Sequence, residues 1–360
     1  MAEPERATTV GRILVIAHSA YGRDRAHQLL GGRLSARIMF AGGGWQGARR
    51  AAGAALRSPA RTYYLIDLGV STTAAAVSAT LRGRRVIIDT GDLAFELARL
   101  TGSRGRFGLL AVWLGERLAL RCASTVVVRG RLHKQYLPAK RTLFVPDLPP
   151  PSAHPVDRDG VRRDLRLEDR FVVGLVGSLV WAPRLGRCYG WDVIEALPNT
   201  SEDVVALIVG DGSGRKWLES HAHELGVADR CRFVGAQPSD RVSGFIAAMD
   251  VATSTQTNDR VGQVRTTGKL PLYLACGRPV IASHVGEAAC LLGPLGWTVP
   301  YEGTTDPRYP LRVARKLNAW PRDPNSAAEQ RAAALRLARQ WFDTDKWATK
   351  ITDLLSEDAN

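Results

Sequence analysis

The chain has 360 residues (39.1 kDa), too many for one ordinary core and enough for two domains of roughly 150 to 200 residues. Its 45% apolar and 23% charged residues exclude a disordered tail, a collagen-like chain or a small disulfide scaffold, and no apolar run approaches the roughly 20 residues of a spanning helix. The net charge of +14 lies wholly in residues 1–150, where 23 Lys plus Arg face 9 Asp plus Glu; the other 210 residues hold 26 of each.

In chain order, short β-branched and apolar runs recur at Ile13–Ile16, Ile38–Phe40, Tyr63–Ile66, Val86–Ile88, Thr125–Val128 and Leu143–Val145. Ala-, Leu- and Arg-rich stretches of helical length separate them. Uninterrupted apolar strands alternating with helices predict a parallel sheet covered on both faces. The pattern breaks at Pro146–Pro155, where proline fills four of the positions 149–155 and makes a stiff connector. A second set follows at Phe171–Val176, Val204–Val209, Arg232–Val234, Val251–Thr253, Val280–Ala282 and Trp297–Val299. Two helical stretches, Ala327–Phe342 and Lys346–Leu355, close the chain with apolar residues at three- and four-residue spacing.

Charge confined to one half points to a first domain facing something anionic: nucleic acid, a membrane surface or a phosphorylated substrate. Arginine supplies 42 of the 49 basic residues, a codon-bias pattern, but bias does not segregate charge to one half. Five scattered cysteines (Cys122, Cys188, Cys231, Cys276, Cys290) lack C-x-x-C spacing, so neither a disulfide framework nor a zinc site is expected. No charged segment followed by an apolar one opens the chain, and the expectation is a cytoplasmic protein.

The segment with most chemistry runs from Thr266-Thr267-Gly268-Lys269-Leu270 through Cys276-Gly277-Arg278-Pro279 to Val280-Ile281-Ala282-Ser283. It reads as a polar helix start, an apolar helix, a glycine stop and a strand. Hydroxyls, backbone N–H groups and a lysine at such a start suit a phosphate, with a threonine-capped αβ junction as the plain alternative. Glycine turns at Gly177-Ser178-Leu179 and at Gly210-Asp211-Gly212-Ser213-Gly214 also follow strands. Strand C-terminal ends form the ligand crevice of open parallel sheets.

The order Val-Gly-Ser-Leu (176–179), Tyr-Gly-Trp-Asp-Val-Ile-Glu-Ala-Leu (189–197), Ile-Val-Gly-Asp-Gly (208–212), Arg-Phe-Val-Gly (232–235) and the 268–283 segment resembles the C-terminal domain of family 4 glycosyltransferases. Asp89-Thr90-Gly91-Asp92-Leu93-Ala94-Phe95-Glu96 is similar to a first-domain element of one branch of that family. The resemblance implies a GT-B fold, two Rossmann-like doubly wound parallel-sheet domains facing across a cleft. The domains would be 1–150 (acceptor side, basic) and 151–343 (nucleotide-sugar side), with a helix in 344–360 returning to the first. It also implies retention of anomeric configuration and no obligatory metal or other cofactor.

Donor-binding residues by this reading are Gly177, Ser178, Arg184, Gly210, Asp211, Gly212, Arg265, Thr266, Thr267, Gly268, Lys269 and Glu287, with His284 near the donor sugar. The sequence departs from the family where paired glutamates fall on Val264 and Leu272, and where an Arg and a Lys fall near Ser178 and Tyr189. Arg184, Arg187, Arg265 and Lys269 are the available substitutes. Asp89, Asp92 and Glu96 are the candidate catalytic carboxylates that orient or deprotonate an acceptor hydroxyl; Asp92 as a cap of the following helix is the alternative. His18 and Tyr21 are candidate cleft residues, His18 with a structural role as its alternative. Residues Arg99–Leu114 place three basic residues, Arg99, Arg104 and Arg106, beside Phe, Leu and Trp, which reads as an anionic membrane contact or as a core helix with a basic loop.

The leading expectation is transfer of a hexosyl group from a nucleotide-diphosphate sugar to a hydroxyl of a glycan, glycolipid or secondary-metabolite acceptor. The alternatives are a catalytically degenerate GT-B protein that partners another transferase, and a sugar-nucleotide epimerase, for which no acid/base set is evident. Nucleic acid is not an expected partner, since no binding motif accompanies the arginines. Peripheral attachment to the inner face of the cell membrane is the alternative to a free cytoplasmic protein.

Overall fold

The computed structural model describes residues 12–137 and 141–357. The chain divides into two compact units: Met1–Ala98 with Arg104–Pro146 and Thr344–Asn360, and Arg99–Ser103 with Asp147–Asp343. Each is built on a six-stranded, wholly parallel sheet. Helices alternate with the strands, and the GT-B class of fold expected from the sequence is what the chain adopts.

The first sheet comprises β1 (Ile13–Ala17), β2 (Ala36–Phe40), β3 (Thr62–Ile66), β4 (Arg85–Thr90), β5 (Thr125–Val128) and β6 (Arg141–Phe144), in the order 2-1-3-4-5-6. β1, β3 and β5 are buried along their whole length, as continuous apolar runs require when both faces are covered. The sheet order reverses between β1 and β3, so the strand ends there open a crevice at His18 and Asp67. The closing helix Thr344–Ser356 packs within this unit. Its Trp347, Ile351, Leu354 and Leu355 are buried at helical spacing, and Trp347 meets Phe144 edge-on at 5.4 Å. Glu357 pairs with Arg141 at 2.6 Å and Arg85 at 3.0 Å.

The second sheet comprises β7 (Phe171–Val176), β8 (Val204–Val209), β9 (Cys231–Gly235), β10 (Val251–Ser254), β11 (Val280–Ser283) and β12 (Thr298–Val299), in the order 12-11-10-7-8-9. Counting from β7, this is the doubly wound order 3-2-1-4-5-6 reversed, with its switch point between β7 and β10. Its core is the larger of the two and takes in Trp191, Tyr273, Trp297, Tyr309 and Trp320. The helix Pro324–Trp341 starts at an Asp323 cap, three residues before the apolar periodicity begins, because the Asp323 carboxylate accepts the Ser326 N–H at 2.9 Å.

Candidate functional site

The switch point of the second unit gathers the loops after β7, β8 and β9. Gly177 N–H donates to Val209 O at 2.9 Å, Leu179 N–H to Asp211 O at 2.9 Å, and Gly210 N–H to Gly235 O at 2.8 Å. These contacts need glycine. Gly210 has φ +143°, and a Cβ on it would lie 1.9 Å from the Gly177 carbonyl oxygen. Gly177 has φ +150°, and a Cβ there would meet Lys269 Cε at 2.6 Å.

Gly177 is thus the floor on which the Lys269 side chain lies. The ammonium stands 3.6 Å from the centre of the Tyr189 ring, and no carboxylate among the described residues comes within ion-pairing distance of it. Its pKa lies below the ordinary lysine value, chiefly through loss of water and further through Arg265, with Tyr189 and Asp192 opposing. Asp192 is buried and accepts the Thr255 hydroxyl at 2.5 Å; burial pushes its pKa up against that bond. Tyr273 ties the end of β7 to the helix Lys269–Ala275, its hydroxyl accepting Val176 N–H at 2.7 Å. Thr267 Oγ1 lies 3.3 Å from Ser254 Oγ.

The other donor-side residues fall around this centre unequally. Ser178 is exposed beside Gly177, and Arg265, Thr267 and Gly268 are half-buried. Thr266 and Glu287 are buried. The Asp211 carboxylate caps its own loop at Gly212 N–H, 2.7 Å, and pairs with Arg215 at 3.2 Å. Arg184 is exposed, and its Nη1 donates to the Arg99 carbonyl at 2.7 Å. Arg187 stacks 3.9 Å from the Trp191 ring and keeps a buried Nη1 without a hydrogen-bond partner. His284 is exposed and bonds Thr298 Oγ1 at 2.9 Å. Val264 is buried and Leu272 packs against the core.

In the first unit, Asp89 is fully buried at the end of β4. Arg25 Nε donates to it at 2.8 Å, Arg129 Nε at 2.9 Å and the Tyr64 hydroxyl at 2.5 Å. Burial would raise its pKa, but the two guanidiniums and the phenol hold it below the ordinary carboxylate value. Arg129 reaches on to Asp67 at 2.6 Å, and Asp67 also accepts the Ser19 hydroxyl. Asp67 is held at φ +63°, a strained conformation for a non-glycine residue at a strand end. His18 Nδ1 lies 2.7 Å from Ser71 Oγ with its ring against Gly69; desolvation lowers its pKa against Asp67 and a Gly42 backbone bond. Tyr21 is exposed, with the Arg129 guanidinium 5.6 Å from its ring.

The helix Ala94–Thr101 is capped from outside. Glu116, on the helix Arg106–Cys122, accepts Ala94 N–H at 2.9 Å and Phe95 N–H at 3.1 Å. In the turn before the helix Ala94–Thr101, Thr90 Oγ1 donates to the Asp92 carbonyl at 2.9 Å. Glu96 is half-buried in the first turn of that helix. His133 lies nearby, fully buried with both ring nitrogens lacking hydrogen-bond partners. Burial takes its pKa down to about 4, with Asp92 opposing. Sequence reasoning missed Arg25, Asp67, Glu116, Arg129 and His133. Only the strand-end position of Asp67 carried a signal; Arg25, Glu116 and Arg129 meet their partners across tens of residues, and the burial of His133 is set by the fold.

His133 makes the first unit acid-sensitive. Neutral in the fold and titrating near 6.5 when unfolded, it should cost stability as pH falls from about 6.5 to 4, by about 3 kcal/mol at 1.4 kcal/mol per pH unit. Urea denaturation of His133→Phe across that range should show a flatter profile than wild type; parallel profiles would refute this.

Residues 170–306 match the family model described as Glycosyl transferases group 1. The chain is 27% identical over 187 residues to the 2-deoxystreptamine glucosyltransferase of Streptomyces kanamyceticus, covering 52% of this chain and 44% of that one. It is 35% identical over 207 residues to the D-inositol 3-phosphate glycosyltransferase of Thermomonospora curvata, covering 55% and 44%. The chain thus spans about half the length of the relatives it matches. In fold it is similar to Anabaena HepE solved in complex with UDP-glucose, with a TM-score of 0.74 at 18% identity over 96% of this chain and 99% of that one. These likenesses bear out the resemblance carried by residues 176–283.

Proposed function

We propose, from the premise that residues 170–306 match the group 1 glycosyltransferases, that this protein transfers a hexosyl group from a nucleotide-diphosphate sugar to an acceptor hydroxyl. The observation that carries this reading is Lys269. A desolvated ammonium without an ion-pair partner lies across a glycine floor at the switch point of a doubly wound sheet. A diphosphate oxygen supplies the close ion-pair partner that Lys269 lacks. The relatives named glucosyltransferase and glycosyltransferase, and a neighbour holding UDP-glucose, support the same donor class.

In the reaction the bond between the sugar's anomeric carbon and the diphosphate oxygen breaks, and a bond to the acceptor oxygen forms. The acceptor proton passes to an acceptor-side carboxylate, Asp92 or Glu96, and the configuration is retained. Charge grows on the leaving diphosphate, where Lys269, with Arg265 close enough to lower its pKa and Arg187 as a further cation of the same unit, stabilises it without a metal. Thr266, Thr267, Gly268, Gly177 and Ser178 shape the phosphate cradle, with Glu287 on the sugar side. Asp92, Glu96, His18 and Tyr21 form the acceptor side, and Asp89 holds its guanidinium framework. The acceptor is a glycan, a glycolipid or a small molecule, and the protein works in the cytoplasm or at the inner face of the cell membrane.

Calorimetric titration with UDP, GDP, ADP and dTDP tests the reading and selects the donor base. One of them should bind, and the corresponding sugar nucleotide should be hydrolysed or transferred. No binding by a folded sample would overturn the donor site and leave a non-catalytic partner of another transferase.

A further inference from the structure

We infer that the solvent face of the helix Arg106–Cys122 docks this protein on an anionic lipid surface. Phe107 is 90% exposed, Leu110 52%, Leu114 52% and Leu118 47%. Steps of three, four and four residues align them in one stripe. A helix of a globular domain normally turns such a stripe inward. Here the inward side is already occupied by Ala119 and Leu120, with Val112, Trp113 and Gly115 partly covered. Single exposed leucines are ordinary, whereas an aligned series on one helix marks a contact surface.

Charge selects the occupant. Arg106, Arg117 and Arg121 are exposed on the same helix and Arg104 in the loop before it. The helix's one acidic residue, Glu116, is turned away to cap Ala94 and Phe95. The other two helices of this layer, Gly44–Arg57 and Val70–Leu81, contain no Asp or Glu, and the first adds Arg49, Arg50, Arg57 and a Trp45 that is 79% exposed. A second copy would bring the same cationic face and be repelled. Lipid phosphates pair with the arginines while Phe107 and the leucines enter the acyl boundary, the geometry of an interfacial helix. Among the described residues no helix is long and apolar enough to cross a membrane. The Arg99–Leu114 segment singled out in the sequence divides in the fold: one helix ends at Thr101, another begins at Arg106, and the exposed stripe continues to Leu118.

Co-sedimentation of the full chain with vesicles tests the inference, with 30% phosphatidylglycerol in phosphatidylcholine set against phosphatidylcholine alone. Partitioning should be at least tenfold stronger on the anionic vesicles and collapse in 0.5 M NaCl. Leu110→Asp/Leu114→Asp and, separately, Arg117→Gln/Arg121→Gln should each lower it about tenfold or more, with titration of whichever of UDP, GDP, ADP and dTDP binds the wild type as the readout that the donor site is untouched. Equal binding to neutral vesicles, no binding to either, or variants that bind like wild type would each overturn it. So would a concentration-dependent dimer, seen by light scattering and lost in Leu110→Asp/Leu114→Asp, without vesicle binding. Donor binding and vesicle binding are read separately, so failure of one does not imply failure of the other.

Discussion

Lys269→Ala should weaken binding of the preferred nucleoside diphosphate by about 30- to 160-fold, the 2–3 kcal/mol that a charged hydrogen bond to phosphate contributes. The expected size follows from the surroundings. Lys269 has lost water and has no carboxylate partner, so its ammonium gains more from a phosphate than a solvated lysine does. Arg184→Ala is the matched control: its side chain is exposed and already donates to the Arg99 carbonyl, so the loss should stay within a few-fold. Calorimetry on both variants, with folding checked by circular dichroism, decides the matter. Unchanged affinity in Lys269→Ala would remove the phosphate assignment, and a larger loss in Arg184→Ala would move it to the loop after β7.

Asp89→Ala should destabilise the first unit by about 3–5 kcal/mol, because it removes the buried carboxylate that Arg25 and Arg129 share and leaves Arg129 to Asp67. The remaining donors of Arg25 reach the Val145 and Pro146 carbonyls at 2.9 and 2.7 Å, so the loss also loosens the exit of the chain from the first unit. Urea denaturation at pH 7 measures it. The pH dependence has a definite sign. Asp89 titrates lower in the fold than the ordinary value of about 3.9 for an unfolded chain, so its contribution is complete above that value and fades as pH falls through the folded one. The gap between wild type and Asp89→Ala should therefore be constant from neutral pH to about pH 5 and narrow below about pH 4. A change under 1 kcal/mol at pH 7 would show that the network contributes nothing net. Rescue of stability by Asp89→Asn with loss of transfer would give the residue a second role at the acceptor side.

All twelve strands among the described residues were legible from apolar runs, because a strand buried on both faces has no room for polar alternation. Phe171–Val176 and Val204–Val209 coincide with β7 and β8 to the residue. Short edge strands were less well bounded: Leu143–Val145 was expected where β6 runs Arg141–Phe144, since edge residues are only half covered and their periodicity blurs. Of the donor side, Gly177, Gly210 and Lys269 were legible as residue types at strand and helix ends.

The sequence by itself determined the two parallel sheets, the Pro-rich break between them and the concentration of positive charge in one half. These depend on local apolar content and composition, which a linear reading captures. Only the tertiary structure decided that Asp89 balances Arg25 and Arg129 at the core, that Glu116 caps the helix after β4, and that Leu110, Leu114 and Leu118 of Arg106–Cys122 face solvent. Each depends on which residues distant in sequence share a neighbourhood. Burial and charge pairing, unlike strand-forming tendency, are properties of that neighbourhood and not of the residue.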